Sequence, residues 1–389
     1  MIRKAAPVLG ALTAVLTVFA PAAHAADMRS RQWYLDAMKA EEIWQVSTGS
    51  GVTVAVIDTG VDADVPELRG RVLEGANFEE AGDGRVDKDG HGTNMAVTIA
   101  GNGAQGGIKG LAPGAKILPV TSSSDALGFG GHDGLAKGIR YVADTDARII
   151  NVSRGGKPTS EDMAELRSAV DYALQKGKLI FAASGNEGDE GNPIEYPAAL
   201  PGVVAVGALD TKGKVTKFSG YRDYVALSAP GDKIPAHCTK SEGYCETSGT
   251  SYATALASAS AALIWSAHPD WTANQVLRVM METAGHDGPV PSKYIGYGTI
   301  RPRQVLLEGK GDPGPADVNP LLAARTPSTT PSASPSPEHT GASGNEPAET
   351  AAARADKDVG VPLWAIAAVA VAVVAIGATA AVKVRSRRA

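Results

Sequence analysis

A serine, a histidine, an aspartate and an asparagine in this chain stand where each can take one part in nucleophilic acyl chemistry. Ser251 lies in Thr247-Ser248-Gly249-Thr250-Ser251-Tyr252-Ala253-Thr254-Ala255, where a Gly-containing turn feeds an Ala-rich helix expected to run to about Ala267. At a helix N-terminus a side chain sits beside free backbone N–H groups, which favour developing negative charge. An alcohol is a poor nucleophile at neutral pH and needs an adjacent base. His91, in Asp89-Gly90-His91-Gly92-Thr93-Asn94-Met95-Ala96, opens a helix expected to reach about Ala100, and its flanking glycines let the backbone approach other segments closely. The base needs an acid that fixes its tautomer and stabilises the imidazolium; Asp58 follows the apolar run Val54-Ala55-Val56-Ile57. The oxyanion of a tetrahedral intermediate needs a donor, and the amide of Asn186, in Ala182-Ala183-Ser184-Gly185-Asn186-Glu187-Gly188, can supply one.

Each of these residues alone has a plainer use. An Asp after a strand caps a turn, a Ser at a helix start is an N-cap, and an Asn-containing turn is uninformative by itself. One candidate for every role, in the order Asp, His, Asn, Ser, is far more specific than any of the parts.

Residues so far apart along the chain need a rigid frame to bring them together. Val52 to Ile57, Lys116 to Val120, Arg148 to Val152, Leu179 to Ala183 and Val203 to Gly207 are short apolar runs without period-two alternation. Strands buried on both faces have that pattern, which predicts a parallel sheet covered by helices, an α/β layered domain. Functional groups then collect at the carboxyl ends of the strands. Ser160 is expected to cap a helix running to about Lys176, with Gly177 as its stop, and Thr272 with Gln275 reads as a capping box for another. No internal repeat is evident.

The 389 residues, 43% of them hydrophobic, allow a large core, and a formal net charge of -5 with both signs scattered gives no nucleic-acid footprint. Arg3 and Lys4, the apolar run from Ala5 to Ala20 and Ala23-His24-Ala25 have the layout of a secretory signal cleaved after Ala25, so residues 1–25 are expected to be removed. The run is short of the roughly 20 residues that a membrane anchor needs. A folded domain is expected over 26–311, followed by a Pro/Ser/Thr-rich solvated linker over 312–358. Residues 359–382 carry no charge and are long enough to cross a bilayer as one helix. Lys383, Arg385, Arg387 and Arg388 would hold the 383–389 tail in the cytoplasm and leave the folded domain outside.

The only two cysteines, Cys238 and Cys245, are expected to form a local disulfide in an exported protein, the other state being a pair of free thiols. Two thiols without clustered His or Asp partners do not complete a metal shell. The acidic cluster Asp83, Asp87 and Asp89 lacks the ligand set of a calcium loop and reads as turn residues, so no metal site is expected.

The segments around Asp58, His91, Asn186 and Ser251 closely resemble those of the subtilases, over about residues 33 to 308. Their order separates this type of chain from chymotrypsin-like and α/β-hydrolase chains. The resemblance implies a subtilisin-like three-layer fold with a central, mostly parallel sheet flanked by helices. It implies peptide-bond hydrolysis through an acyl-enzyme on Ser251, a triad of Asp58, His91 and Ser251, and an oxyanion hole at Asn186. It places Ser153, Arg154 and Gly155 on one wall of a substrate cleft, with Ser184, Gly185 and Gly249 also lining it. No redox or organic cofactor is implied; structural calcium is common in the family, without ligands to assign here.

Two residues depart from the family pattern. Ala255 stands where a proline is usual, a position that shapes the helix start rather than the chemistry. Arg154 replaces an apolar residue of the cleft wall, and either biases the subsites toward acidic or polar side chains or turns to solvent. The full layout, with Gln32-Trp33-Tyr34-Leu35-Asp36-Ala37-Met38-Lys39-Ala40-Glu41-Glu42-Ile43-Trp44 before the protease domain, resembles the mycosins, membrane-anchored subtilases associated with type VII secretion. That resemblance implies a polypeptide substrate, a cell-membrane location and a type VII secretion membrane complex as partner. Only a few residues separate Ala25 from the start of the resemblance, so an inhibitory prodomain of several tens of residues has no room. The alternative from another class is a scaffold component whose protease fold serves binding; an esterase with the same triad is a weaker third reading.

Overall fold

The computed structural model describes residues 28–122, 132–239 and 241–325. Seven strands form one parallel sheet: β1 (Thr53–Asp58), β2 (Ala76–Asn77), β3 (Lys116–Thr121), β4 (Ile149–Val152), β5 (Leu179–Ala183), β6 (Val204–Leu209) and β7 (Val225–Pro230). Their order is β2-β3-β1-β4-β5-β6-β7. The expected runs became strands within a residue or two, and β2 and β7 are additions, the first only two residues long and the second a short run whose Ser228 hides its apolar character. Because successive side chains point to opposite faces, each run feeds two cores at once. Val54, Val56, Leu179 and Phe181 enter one cluster, while Ala55, Ile57, Ile180 and Ala182 enter the other.

Helices cover both faces. On one lie α3 (His91–Ala100) and α6 (Thr250–Ala267), the latter packed across β1 and β4 to β7. On the other lie α4 (His132–Ala143) and α5 (Ser160–Gln175). Every residue from Thr250 to Trp265 is buried, which accounts for the small Ala and Ser side chains of α6: a helix enclosed on all sides has no polar face to show. Ala255 is fully enclosed there. The cap of α5 is Thr159 rather than Ser160. Its hydroxyl accepts from the Asp162 backbone N–H while the Asp162 carboxylate accepts from the Thr159 N–H, a reciprocal pairing that Ser160 has no partner to make. The capping box of Thr272 and Gln275 opens α7 (Ala273–Glu282) as expected.

The chain start packs into the same core. Tyr34 and Leu35 of α1 (Trp33–Ala37) and Ile43 of α2 (Ala40–Ile43) are buried, and Trp44 Nε1 donates to Leu111 O at 2.9 Å. After β7 a hairpin of β8 (Ile234–His237) and β9 (Tyr244–Thr247) carries a disulfide between Cys238 and Cys245. With a sequence separation of only 7, this closure restricts the unfolded chain by about 2–3 kcal/mol on the chain-entropy account. The hairpin is tied to α3: Asn94 Nδ2 donates to His237 O at 3.0 Å, and Asn94 Oδ1 accepts from His237 N at 2.8 Å.

The stretch from 312 to 325, assigned by composition to the linker, is docked on the domain. Asp312 N donates to Glu282 Oε2, Thr272 Oγ1 and Asn274 Nδ2 both donate to Ala316 O, and Arg278 Nη2 donates to Val318 O. Beyond the short α8 (Pro302–Leu306), α9 (Pro320–Arg325) buries Leu321. Side chains of the α7 region satisfy backbone carbonyls that composition alone would leave to water. No helix among the described residues is long and apolar enough to cross a membrane. The expected signal at 1–25, the rest of the linker, the span at 359–382 and the tail at 383–389 lie outside the described residues.

Candidate active site

The strand order reverses at β1, with β3 on one side and β4 on the other, and in open parallel sheets functional groups gather at the carboxyl ends around such a point. Asp58 is the last residue of β1 and is fully buried. Its Oδ1 accepts from Thr59 N at 2.8 Å and from His91 Nδ1 at 2.7 Å. The ionised acid can only accept, so the imidazole proton sits on Nδ1 and Nε2 is left as a base.

His91 is the first residue of α3 and Gly90 enters the helix with φ 92°, a conformation glycine adopts without strain. Asp87 satisfies the helix start: its carboxylate accepts from Gly90 N and Thr93 N, each at 2.8 Å, and from the Thr59 and Thr93 hydroxyls. Thus Asp87 holds loop and helix together, and an anion at that end also complements the helix dipole. Gly92 is the close approach: a Cβ there would lie 2.1 Å from Gly60 O and 3.0 Å from Asp58 Cβ. Among the described residues no group of three or more His, Cys, Asp or Glu is placed to hold a metal ion.

Burial works against charge on both partners, and their mutual attraction and hydrogen bond overcome it. The Asp58 carboxyl is held below its ordinary value, with Arg154 and the Thr59 N–H adding to the effect of His91. The His91 imidazolium is held above the ordinary imidazole value: burial and Arg154 lower it, while Asp58, helped by Asp89, raises it further. Arg154 is only 8% exposed, which rejects the solvent-directed alternative. Its charge falls on Asp58 and His91.

Ser251 is the second residue of α6 and is 6% exposed. Its hydroxyl donates to Ser153 O at 3.0 Å rather than to His91, and Ser153 Oγ donates back to Ser251 O at 3.2 Å. Rotation about one side-chain bond would redirect the hydroxyl, and such contacts are commonly loose before substrate arrives. Behind the clasp, Asn151 Nδ2 donates to Ser153 Oγ at 2.8 Å and Ser258 Oγ donates to Asn151 Oδ1 at 3.0 Å. Sequence reasoning passed over Asn151 and Ser258; the available signal was an amide inside the otherwise apolar β4.

Asn186 follows the β5 end and is exposed. Its Oδ1 accepts from Thr250 N at 2.9 Å and Thr250 Oγ1 at 3.0 Å, which leaves Nδ2 as a donor. Both Nδ2 and the Ser251 N–H border Gly249, lying 3.7 and 3.8 Å from where its Cβ would be. The candidate nucleophile therefore sits beside two N–H donors, the arrangement that stabilises negative charge on an adjacent carbonyl oxygen. Ser153 to Gly155 and Ser184 to Gly185 continue from the adjacent strands β4 and β5, whose pairing ends at Val152 and Ala182. Asp58 thus ends β1, Ser153 and Asn186 follow β4 and β5, and Ser251 opens α6 in hydrogen-bond contact with Ser153.

The family model described as the subtilase family, Peptidase S8, matches residues 49–298. The major intracellular serine protease of Bacillus subtilis (strain 168) is 37% identical over 235 residues, covering 58% of this chain and 72% of the relative. MycP1 from the ESX-1 type VII secretion system has a similar structure, with a TM-score of 0.65 at 28% identity over 74% of this chain and 88% of that one. For the MycP3 protease from the type VII (ESX-3) secretion system the TM-score is 0.60 at 31% identity, over 71% of this chain and 88% of the other.

Proposed function

The chain belongs to the subtilase family of serine endopeptidases, and from that premise we propose that it cleaves polypeptides through an acyl-enzyme on Ser251, outside a membrane to which its C-terminal segment anchors it. The observation that carries the chemistry is the 2.7 Å bond between His91 Nδ1 and Asp58 Oδ1 at the crevice, with Ser251 in the first turn of α6. His91 Nε2 takes the Ser251 proton as Oγ attacks the scissile carbonyl, and Asn186 Nδ2 and the Ser251 N–H receive the oxyanion. The imidazolium then gives its proton to the leaving amine. Water, deprotonated by the same His91, attacks the acyl-serine and releases the new carboxylate together with the restored hydroxyl.

Association with type VII secretion rests on the likeness to MycP1 from the ESX-1 and MycP3 from the ESX-3 type VII secretion system. Anchoring rests on the uncharged residues 359–382 and the basic residues after them. In cell fractionation the full chain is expected in the carbonate-resistant membrane pellet, and a chain ending at Arg325 in the soluble extracytoplasmic fraction. Equal partition of the two forms would remove the anchor.

Asn186→Ala is expected to lower kcat with KM little changed, because a donor aimed at charge that appears only in the transition state contributes nothing to ground-state binding. Loss of such a donor costs subtilisin, a relative, roughly 100- to 1000-fold, about 3 to 4 kcal/mol, and a loss of that order is expected here. A kcat within about threefold of the parent excludes Asn186 from the mechanism.

A further inference from the structure

Between the two wall segments lies a carboxylate that the triad does not use. A Cβ built on Gly155 would come within 2.6 Å of Glu195 Oε2, and one on Gly185 within 2.7 Å of Glu195 Cγ. Glu195 therefore occupies the space between two chain segments that expose only backbone to it. It is held there by its neighbour: Tyr196 and Gly156 exchange N–H···O bonds of 3.2 and 3.3 Å. Its own backbone is occupied, since Glu195 N donates to Tyr224 Oη at 3.2 Å and Glu195 O accepts from Ala199 N. The residue is 9% exposed, and its carboxylate has no hydrogen-bond or salt-bridge partner among the described residues. Glu187, at the mouth of the same gap, brings a second carboxylate within 3.4 Å of the Gly185 position.

The geometry of attack says what enters this gap. With the scissile carbon at Ser251 Oγ and its oxygen toward Asn186 Nδ2, the residue contributing that carbonyl has its Cα beside Ser153 and Asn186. Its side chain leaves between the segments that continue from those two residues, Gly155 on one side and Gly185 on the other. We propose that Glu195 is the specificity-determining end of this pocket, and that the enzyme selects a lysine or arginine immediately before the scissile bond. The inference rests on the serine endopeptidase reading above. A buried acceptor with no partner favours a side chain that brings N–H donors and positive charge, and rejects one that leaves it unpaired. The Arg154 charge acts on Asp58 and His91 and is not among the influences on the Glu195 carboxyl.

Burial, reinforced by Glu187 and only partly offset by Lys157, pushes the Glu195 carboxyl up to about 7. Tyr224, packed on the same loop with Arg222 beside it, stays protonated well above that pH. The preference for a basic residue should therefore strengthen between pH 6 and pH 8 as Glu195 ionises. His91 titrates for every substrate alike and cancels in a ratio between substrates.

The test uses the full-length chain and synthetic peptides identical except for Lys, Arg, Leu or Glu before the scissile bond, with Ser251 labelling by a fluorophosphonate as the check on the active site. The ratio of kcat/KM for Lys over Leu is expected to favour Lys, to rise from pH 6 to pH 8, and to fall roughly 10- to 100-fold in Glu195→Gln, the scale of one charge-assisted hydrogen bond. A ratio unchanged by Glu195→Gln, or a labelled parent that prefers Leu or Glu at both pH values, overturns the assignment while leaving the peptidase reading intact. The parent's own profile decides the matter even where the variant does not fold. A parent that neither labels nor cleaves overturns the peptidase reading, and the pocket assignment with it.

Discussion

Ser251→Ala is expected to lower kcat for peptide hydrolysis by on the order of 10⁶-fold, the loss seen when a subtilisin triad, which acts as one unit, lacks its serine. The fold should not change. Ser251 Oγ makes one hydrogen bond, to Ser153 O, and alanine keeps the Cβ that packs at the start of α6. Ser153 Oγ still donates to the Ser251 backbone carbonyl, so the clasp between the β4 end and the helix survives in part. Binding should persist as well, because the crevice walls are untouched and only the covalent step is lost; the remaining rate is what the oxyanion donors and substrate positioning supply. Single-turnover kinetics on one peptide, with melting temperature and peptide affinity measured on the same preparation, check all three statements. Turnover within tenfold of the parent in an intact variant would refute the acyl-enzyme mechanism.

Asp58→Asn is expected to cost about 10⁴-fold in kcat with the geometry retained, because an amide at this position accepts the wrong tautomer. In the parent the Nδ1 proton points at Asp58 Oδ1 across 2.7 Å; an amide nitrogen in its place favours the proton on Nε2, which then cannot receive the one from Ser251. The pH profile gives an independent reading. Asp58 is the larger of the two influences that raise the His91 pKa above its ordinary 6.5; burial and Arg154 oppose it. The parent's kcat/KM should therefore climb with pH through a midpoint above 6.5, as His91 loses its proton and becomes a base. Removing the carboxylate leaves burial and Arg154 with only Asp89 against them, so the residual activity of Asp58→Asn should rise at lower pH than the parent's. An unmoved acid limb would show that the titrating group is not His91.

Much of this site was legible because its parts are local. Asp58 ends an unbroken apolar run, His91 sits between glycines at a helix start, and Ser251 follows a glycine before an alanine-rich helix; strand ends and helix starts are written within a few residues of themselves. The same locality misled at the edges. Ser160 and Thr159 are both good caps, and the choice fell to Thr159 because Asp162 stands three residues after it, not after Ser160. The Pro/Ser/Thr-rich composition from Asp312 onward suggested a linker, yet distant donors on Thr272, Asn274 and Arg278 hold the stretch to 325 on the domain.

The sequence by itself determined the fold class, the order Asp, His, Asn, Ser and the chemistry that order permits, since each depends on side-chain type, short-range periodicity and capping. Tertiary structure alone decided where charge falls around the crevice. Arg154, open to two readings in the sequence, is buried with its charge on Asp58 and His91. Glu195, unremarkable in Asn192-Pro193-Ile194-Glu195-Tyr196-Pro197, is set between Gly155 and Gly185 by the pairing of Tyr196 with Gly156. A backbone contact between segments so far apart in the chain forms only once the sheet has brought them side by side, and no local pattern encodes it.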